Sequence, residues 1–267
     1  MLQVRHLVKY FGGVKAVDGV SFEVRAGECV ALIGPNGAGK STCFACIAGQ
    51  QRPSGGEVLW AGRRIDTLAP AQRLGRGVAR TFQVAQTFEA LTVLQNLQLL
   101  MSAGHGLPAW NVLDRTSVQA ATQLLARVGL QHLAHADVLG LPYGAKKRLE
   151  LGMALAGLAG LGGGASADPG GQAPSTARPR LLLLDEPAAG LAESERLELM
   201  QLVKSLASEG VAVLYTEHNM DAVFGVADRV LVLIEGQLAA QGTPDEIARH
   251  PEVRSRYLGH SFDAEML

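Results

Sequence analysis

The sequence has few cysteines, no marked excess of either charge and no long apolar run. Its 267 residues include three cysteines, an odd number that is typical of a reducing compartment. Cys43 and Cys46 form a C-x-x-C pair, but no second pair or nearby histidine completes a metal set. We therefore expect both to lie on a helix with their side chains buried. The formal net charge of −1 argues against a broad basic surface and therefore against a nucleic-acid partner.

Membrane-spanning and export signals are missing as well. No run of about 18 apolar residues occurs, and the nearest approach, 151–165, is short and rich in glycine. The N-terminus begins with a strand-like pattern and lacks the apolar core of a signal peptide, so we expect the chain to stay in the cytoplasm. Hydrophobic residues make up 48% of the chain and charged residues 18%, which indicates a globular protein with a sizeable core.

What the sequence does contain is a phosphate-binding pattern, G-x-x-x-x-G-K-[ST], preceded by an apolar run suited to a buried strand. Its residues are Gly34, Pro35, Asn36, Gly37, Ala38, Gly39, Lys40, Ser41 and Thr42. The glycines let the backbone wrap a polyphosphate whose charge would face N–H groups at the start of a helix, which we expect to end at Gly49. Lys40 is expected to reach the β- and γ-phosphates, and Ser41 to place its hydroxyl on Mg²⁺.

A phosphate loop alone indicates nucleotide binding but not hydrolysis. Asp185 ends an apolar run, 181–184, that suits a strand buried on both faces, and an acid at that point would hold Mg²⁺. Glu186 follows directly and can orient or deprotonate a water that attacks the γ-phosphate. His218 comes after a second predicted strand, 211–215; it either contacts the γ-phosphate or, as is commoner for such a histidine, makes structural hydrogen bonds.

Two positions upstream complete the candidate set. Gln83 is the polar residue that ends a predicted strand at 77–83. The stretch 10–13 predicts a turn in which Phe11, rather than Tyr10, is the candidate to stack on an adenine ring; burial of both rings in the core is an equally good interpretation.

Strands alternate with helices along most of the chain, which predicts an α/β fold with a mainly parallel sheet. A mostly helical block interrupts two strand-rich parts and predicts an inserted subdomain. We therefore expect one domain over 1–267, with an α/β core at 1–90 and 178–267 and a helical subdomain at 91–157. The segment 158–177 is dominated by Gly, Ala, Ser and Pro and predicts a flexible loop.

Taken together, these motifs resemble the ATP-binding cassette (ABC) transporter ATPases over nearly the whole chain. In chain order, 34–42 resembles a Walker A motif, Gln83 the Q-loop glutamine and 141–145 the signature motif. Further on, 181–186 resembles a Walker B motif, 189–192 a D-loop and His218 the switch histidine. The resemblance implies a P-loop NTPase core with N-terminal antiparallel strands and an inserted α-helical subdomain. It also favours Phe11 as the adenine-stacking residue.

The resemblance further implies ATP and Mg²⁺ as ligands and assigns roles to the residues. Glu186 and His218 would be catalytic, and Ser41, Gln83 and Asp185 would hold the metal. Nucleotide is bound between two chains in this family. Tyr143 and Gly144, in the signature motif, would therefore contact a nucleotide held by the partner.

Finer features resemble the importers of branched-chain amino acids: 79–83, the Leu-Pro-Tyr-Gly signature at 141–144, 185–191, 217–220 and the tail 251–259. The resemblance implies a second ATPase subunit in a heterodimer, two transmembrane permease subunits docked near 84–94 and a periplasmic solute-binding protein. It places the chain at the cytoplasmic face of the membrane as a peripheral subunit. Related cassettes import urea, other amides or other amino acids, which is the alternative.

Several positions depart from the family pattern. Pro142 replaces a serine whose hydroxyl helps to hold the γ-phosphate, and the loss of such a donor costs about 1.5–3 kcal/mol. Ala145 stands where many cassettes have glutamine, and Ala192 where the D-loop is usually acidic. We hypothesise that the composite site using this signature is the weaker of two. The segment 157–179 is longer than the usual connector of the family.

Three other classes of protein are less consistent with the sequence. Soluble cassettes of DNA repair or translation generally carry a coiled coil, a zinc site or a second cassette, none of which the sequence indicates. The signature segment and His218 argue against a P-loop kinase or GTPase. A regulatory module that binds ATP without hydrolysing it is disfavoured by Glu186.

Overall fold

The computed structural model describes residues 1–104, 115–159 and 179–258. Within these ranges the strands form two sheets. The smaller sheet has the order β2-β1-β4-β5 and is antiparallel throughout; its strands are β1 Leu2–Phe11, β2 Val14–Val24, β4 Gly55–Trp60 and β5 Arg63–Arg64. The larger sheet has the order β10-β9-β3-β8-β7-β6. Its strands are β3 Cys29–Ile33, β6 Val78–Arg80, β7 Leu181–Asp185, β8 Ala212–Thr216, β9 Arg229–Ile234 and β10 Gln237–Gly242.

The larger sheet is parallel except for β10, as its continuous apolar strands predict. Both of its faces are covered, because alternate side chains of one strand enter different hydrophobic clusters. In β7, Leu182 and Leu184 belong to one cluster, whereas Leu181 and Leu183 belong to the other. The fold prediction of an α/β core with a mainly parallel sheet and N-terminal antiparallel strands is therefore confirmed.

Helices flank this core. They are α1 Lys40–Ala48, α2 Pro70–Leu74, α3 Val93–Gly104, α4 Arg115–Arg127, α5 Tyr143–Ala159, α6 Glu193–Ser208, α7 Met220–Phe224, α8 Pro244–Arg249 and α9 Pro251–Val253, followed by a π-helical turn at Arg254–Leu258. Helices α3, α4 and α5 pack on one another through buried side chains such as Leu97, Leu125 and Leu149. In the described ranges no helix is long and apolar enough to span a bilayer.

The first N-terminal strand extends into the predicted turn. The predicted turn at 10–13 is wrong in its first half, because Tyr10 and Phe11 continue β1 and pair with β2. Only Gly12 and Gly13 form the turn. Both strands extend to the turn because their backbones pair up to that point. The pattern of side chains in the sequence does not reveal this pairing.

Other boundaries also differ. Strand β6 ends at Arg80, so Gln83 lies beyond the strand, because side chains of α5 rather than a neighbouring strand satisfy the backbone there. Helix α5 runs to Ala159 and includes the first residues assigned to the low-complexity loop; the rest of that loop lies outside the described residues. In α6, Leu197 is 50% exposed, whereas Leu199 is buried.

Candidate functional site

Three parallel strands of the larger sheet end side by side. The register pairs Leu32 of β3 with Thr216 of β8, and Thr216 with Asp185 of β7. The predicted phosphate loop leaves β3, and the predicted acids leave β7, at this same edge. Ligands of open α/β sheets bind beyond the carboxyl ends of the strands, so the fold brings together the parts of one site.

The phosphate loop turns sharply into α1 through Gly39. This residue has φ +94°, in the left-handed region, and a Cβ there would lie 2.1 Å from the carbonyl oxygen of Ala16 on β2. Only glycine satisfies both conditions. The loop is thus packed against the β1–β2 hairpin while its backbone faces the site.

Lys40, at the start of α1, is 7% exposed. Its ammonium donates to the carbonyl oxygens of Gly34 at 2.6 Å and Pro35 at 3.0 Å. Burial lowers the pKa of Lys40, and the negative charge of Glu186 partly opposes that effect. Because peptide carbonyls carry no formal charge, they leave the buried cation without full compensation, and an anionic phosphate would supply it.

Asp185 is fixed at the end of β7 by two donors. The hydroxyl of Thr216 donates to its Oδ1 at 2.9 Å, and the guanidinium of Arg80 donates to its Oδ2 at 2.7 Å. Arg80 also bonds Gln50 and lies 5.3 Å from the ring of Phe44. The carboxylate is therefore held in one orientation at the sheet edge.

Glu186 lies between the two other predicted polar residues. Its Oε2 accepts from Nε2 of Gln83 at 2.9 Å, and its Oε1 lies 2.9 Å from Nε2 of His218. Its backbone has φ +47°, which is uncommon for a residue with a side chain, and its N–H donates to the Thr216 hydroxyl at 3.1 Å. Strained backbone of this kind is often found at functional sites. The prediction that Glu186, Gln83 and His218 share one site agrees with these contacts.

The signature residues lie elsewhere. Tyr143 and Gly144 open α5; the Tyr143 ring lies next to Gly190, and Gly144 lies against the carboxylate of Glu195. Tyr143 Oη is 3.5 Å from the carbonyl oxygen of Gln83. Within the described ranges no hydrogen bond or ion pair joins either signature residue to residues 34–42.

Phe11 is exposed at the end of β1, with 47% of its surface accessible and the Lys9 ammonium 4.9 Å from its ring centroid. Burial of Phe11 in the core, the alternative that the sequence left open, is wrong. The same hairpin contacts the phosphate loop through Ala16. An exposed aromatic ring on an element that adjoins the loop is available to a base, although the other site residues do not touch it.

The residues predicted to hold Mg²⁺ have suitable chemistry. Ser41, Asp185 and Gln83 offer hydroxyl, carboxylate and amide oxygens, the hard ligands that Mg²⁺ requires. No cluster of three or more His, Cys, Asp or Glu side chains fit for a metal occurs among the described residues. Cys43 and Cys46 are buried, and burial raises the pKa of both thiols.

Sequence reasoning missed the residues that support the acids. Arg80 and Thr216 hold Asp185, and buried Glu217 accepts from the N–H groups of Ala188 and His218. Burial raises the pKa of Glu217. A signal did exist, since Thr216 and Glu217 are polar residues at the end of an apolar strand, as Asp185 is.

A glycine-rich loop between β3 and α1, a buried lysine and an acidic pair ending a parallel neighbour define a P-loop nucleotide-binding protein. A family model described as ABC transporter matches residues 17–161, more than half of the chain. A second, described as branched-chain amino acid ATP-binding cassette transporter, matches 237–263. The chain belongs to the ABC transporter family of ATPases.

Individual relatives match over almost the full length. The chain is 37% identical to the high-affinity branched-chain amino acid transport ATP-binding protein LivG of Salmonella typhimurium over 98% of both chains. It is 36% identical to BraF, a protein of the same description from Pseudomonas aeruginosa, over 98% of both. Among solved structures, the ADP conformation of MJ1267, an ATP-binding cassette of an ABC transporter, superposes with a TM-score of 0.80 at 30% identity, covering 97% of this chain and 99% of that one.

Proposed function

We propose that this chain is the ATP-hydrolysing subunit of an importer of branched-chain or related amino acids. The observation that carries the hydrolytic part is the Glu186 carboxylate, held between Gln83 and His218 and electrostatically coupled to Lys40. The substrate class is supported by the LivG and BraF relatives and by the C-terminal match at 237–263. Import of urea, another amide or other amino acids is the alternative.

In the proposed mechanism, Lys40 and the N–H groups of the phosphate loop bind the β- and γ-phosphates, and Phe11 stacks on the adenine. Mg²⁺, when held by Ser41, Asp185 and Gln83, would offset the phosphate charge. Glu186 orients the attacking water and takes its proton as the water oxygen bonds the γ-phosphorus; the bond from that phosphorus to the β–γ bridging oxygen breaks, and ADP leaves. His218, whose Nε2 lies 2.9 Å from Oε1 of Glu186, holds that carboxylate in place. Burial of Lys40 strengthens its contacts with the phosphates.

The second half of each site is proposed to come from a partner ATPase. Tyr143 and Gly144, which face Gly190 and Glu195 rather than their own phosphate loop, would contact the γ-phosphate of the partner's nucleotide. Because Pro142 lacks a hydroxyl, the site that uses this signature would be the weaker one in a heterodimer. Comparison of Gly144→Ala with the same change in the partner tests this, since equal losses of ATPase activity argue against asymmetry.

The remaining assembly follows from the same proposal. Two permease subunits would dock near Val84–Leu94 and would hold the chain at the cytoplasmic face of the membrane. Most of that stretch lies in the segment 81–92 between β6 and α3, called here the Gln83 loop. A periplasmic solute-binding protein would act through those permeases. Residues 91–157, which include helices α3 and α4 and most of α5, form the proposed helical subdomain, and 1–90 with 178–267 form the α/β core.

The catalytic assignment is tested by Glu186→Gln. This variant keeps the size of the side chain but removes the base, so ATP binding should persist within about twofold while turnover falls by roughly a hundredfold or more. Turnover of ATP and binding of a fluorescent ATP analogue are measured on the complex with its partner subunits. The matched control is Glu193→Gln, an exposed glutamate in the first turn of α6, which should behave as wild type.

Wild-type turnover in Glu186→Gln would refute the role of this carboxylate. The substrate class needs a separate measurement. Membrane vesicles containing the complex should take up labelled leucine in an ATP-dependent manner. Uptake of urea without leucine would favour the alternative.

A further inference from the structure

Two buried side chains of α5 hold the backbone of the Gln83 loop. The ammonium of Lys147 donates to the carbonyl oxygens of Phe82 at 3.0 Å and Gln83 at 2.6 Å. One helical turn further on, Oε1 of Glu150 accepts from the N–H of Phe82 at 2.7 Å. Both side chains are almost fully shielded from solvent. Neither residue belongs to a motif that the sequence analysis identified.

The surroundings explain why this is a specific arrangement and not a surface contact. Lys147 and Glu150 lie 3.9 Å apart, so each partly compensates the buried charge of the other. The negative charges of Glu217, Asp185 and Glu186, at the ends of β8 and β7, also stabilise the Lys147 cation. The remaining hydrogen-bonding capacity of the pair is used on the main chain of the Gln83 loop.

The held segment is short and has no strand of its own. Strand β6 ends at Arg80, and the next helix, α3, begins at Val93. Gln83, in between, is the residue whose amide reaches Glu186. Without Lys147 and Glu150, nothing in a regular sheet or helix would fix the direction in which the Gln83 side chain leaves the backbone.

We propose that Lys147 and Glu150 are positioning residues for ATP hydrolysis, which fix the Phe82–Gln83 backbone so that the Gln83 amide stays on Glu186. This inference rests on the proposed role of Glu186. It also gives a physical link between two sites, because α5 begins with Tyr143 and Gly144. A shift of that helix when its signature binds the partner's nucleotide would move Gln83 in the chain's own site.

The first test separates turnover from binding. In the complex with its partner subunits, Lys147→Met should lower kcat for ATP about tenfold and change KM less than twofold. Glu150→Leu should do the same, because Leu accepts no hydrogen bond, whereas Glu150→Gln keeps an acceptor for Phe82 and should retain at least half of the wild-type kcat. Arg148→Met, next to Lys147 but paired with Glu198 at the surface, is the matched control and should leave kcat unchanged.

The second test is a double-mutant cycle with Gln83→Ala. If Lys147 acts through Gln83, then Lys147→Met should add less than a twofold loss of kcat in the Gln83→Ala background. Losses that multiply would overturn the proposal, as would a Glu150→Gln variant as impaired as Glu150→Leu. These results are independent of Glu186→Gln, so failure of this inference can be told from failure of the proposed function.

Amide hydrogen exchange keeps the test valid if a variant folds poorly. The Phe82 amide should exchange at least tenfold faster in Glu150→Leu than in wild type and at an unchanged rate in Glu150→Gln. Faster exchange throughout α5, including the Leu149 amide, would show general loosening and would contradict the proposal. Acceleration confined to the Gln83 loop would support it.

Discussion

The two ends of helix α1 each carry a buried cation, and the comparison shows what distinguishes a ligand site from a structural contact. Lys40 lies at the N-terminus and is 7% exposed; Arg73, from α2, lies at the C-terminus and is 1% exposed. Both donate to backbone carbonyls. Arg73 donates to Leu68 at 2.9 Å, to Cys46 at 2.9 Å and also to Ile47.

The helix dipole makes the two positions unequal. Carbonyl groups at the C-terminus of α1 attract the Arg73 guanidinium, while N–H groups at the N-terminus repel the Lys40 ammonium. Burial lowers the pKa of both, to about 10 for Arg73, and the charge of Asp66 opposes the effect there. Arg73 thus donates to three carbonyls at a helix end whose dipole attracts it, although its buried Nη2 has no partner among the described residues. Lys40, in contrast, lies at the end of the helix that favours an anion.

The largest effect should follow from Lys40→Ala. It removes charge-assisted contacts to the phosphates, so ATP turnover should fall by at least about a hundredfold, or roughly 3 kcal/mol. Because the buried charge of the ammonium is only partly compensated, the free energy of unfolding without nucleotide should stay equal or rise. Urea denaturation and ATPase assays measure the two quantities. A Lys40→Ala protein that is clearly less stable without nucleotide would break the comparison.

The opposite pattern is expected for Arg73→Met. Methionine fills part of the space but leaves the carbonyls of Leu68, Cys46 and Ile47 without their donor, which should cost about 3 kcal/mol of the free energy of unfolding. The folded fraction should still hydrolyse ATP at near the wild-type rate. Urea unfolding monitored by fluorescence, with Arg76→Met as an exposed control, checks this. Unchanged stability would mean that the hydrogen bonds from Arg73 to these carbonyls contribute nothing to the free energy of unfolding.

The sequence predicts one of these cations and not the other for a physical reason. Lys40 belongs to a local pattern, since the glycines, the lysine and the preceding apolar run are contiguous. Arg73 acts on carbonyls about 26 residues earlier in the chain, and no local spacing encodes that contact. The same holds for Lys147 and Glu150, which act on residues about 65 positions away. Core strands and motif residues are therefore predictable, whereas buried polar partners across elements are not.

A buried acid extends the comparison to the opposite charge. Burial raises the pKa of Glu150 to about 6, although the Phe82 N–H and Lys147 oppose the effect. Since the folded pKa lies above the ordinary glutamate value of 4.5, protonation favours the folded state. The protonated Glu150 contributes fully to the free energy of unfolding below about pH 4.5. This contribution, roughly 2 kcal/mol in total, is lost as the pH rises through 6.

Glu150→Gln isolates that contribution. The stability of the variant relative to wild type should be about 2 kcal/mol more favourable at pH 7.5 than at pH 4.5, because glutamine stays neutral. Urea denaturation of both proteins across this range cancels the titration of groups that they share. A difference that does not change with pH would show that the buried Glu150 charge is fully compensated.

The smallest effect should follow from Gly37→Ala, in the phosphate loop. Gly37 has φ +80°, but a Cβ there meets nothing within 4 Å, in contrast to Gly39. The substitution therefore adds left-handed strain without a clash and should cost about 1 kcal/mol of the free energy of unfolding. Thermal or urea unfolding without nucleotide measures it. If Gly37→Ala cost as much as Arg73→Met, the phosphate loop at the N-terminus of α1 would contribute as much to the stability of the fold as the Arg73 contacts at its C-terminus. The distinction between the two ends of the helix would then no longer hold.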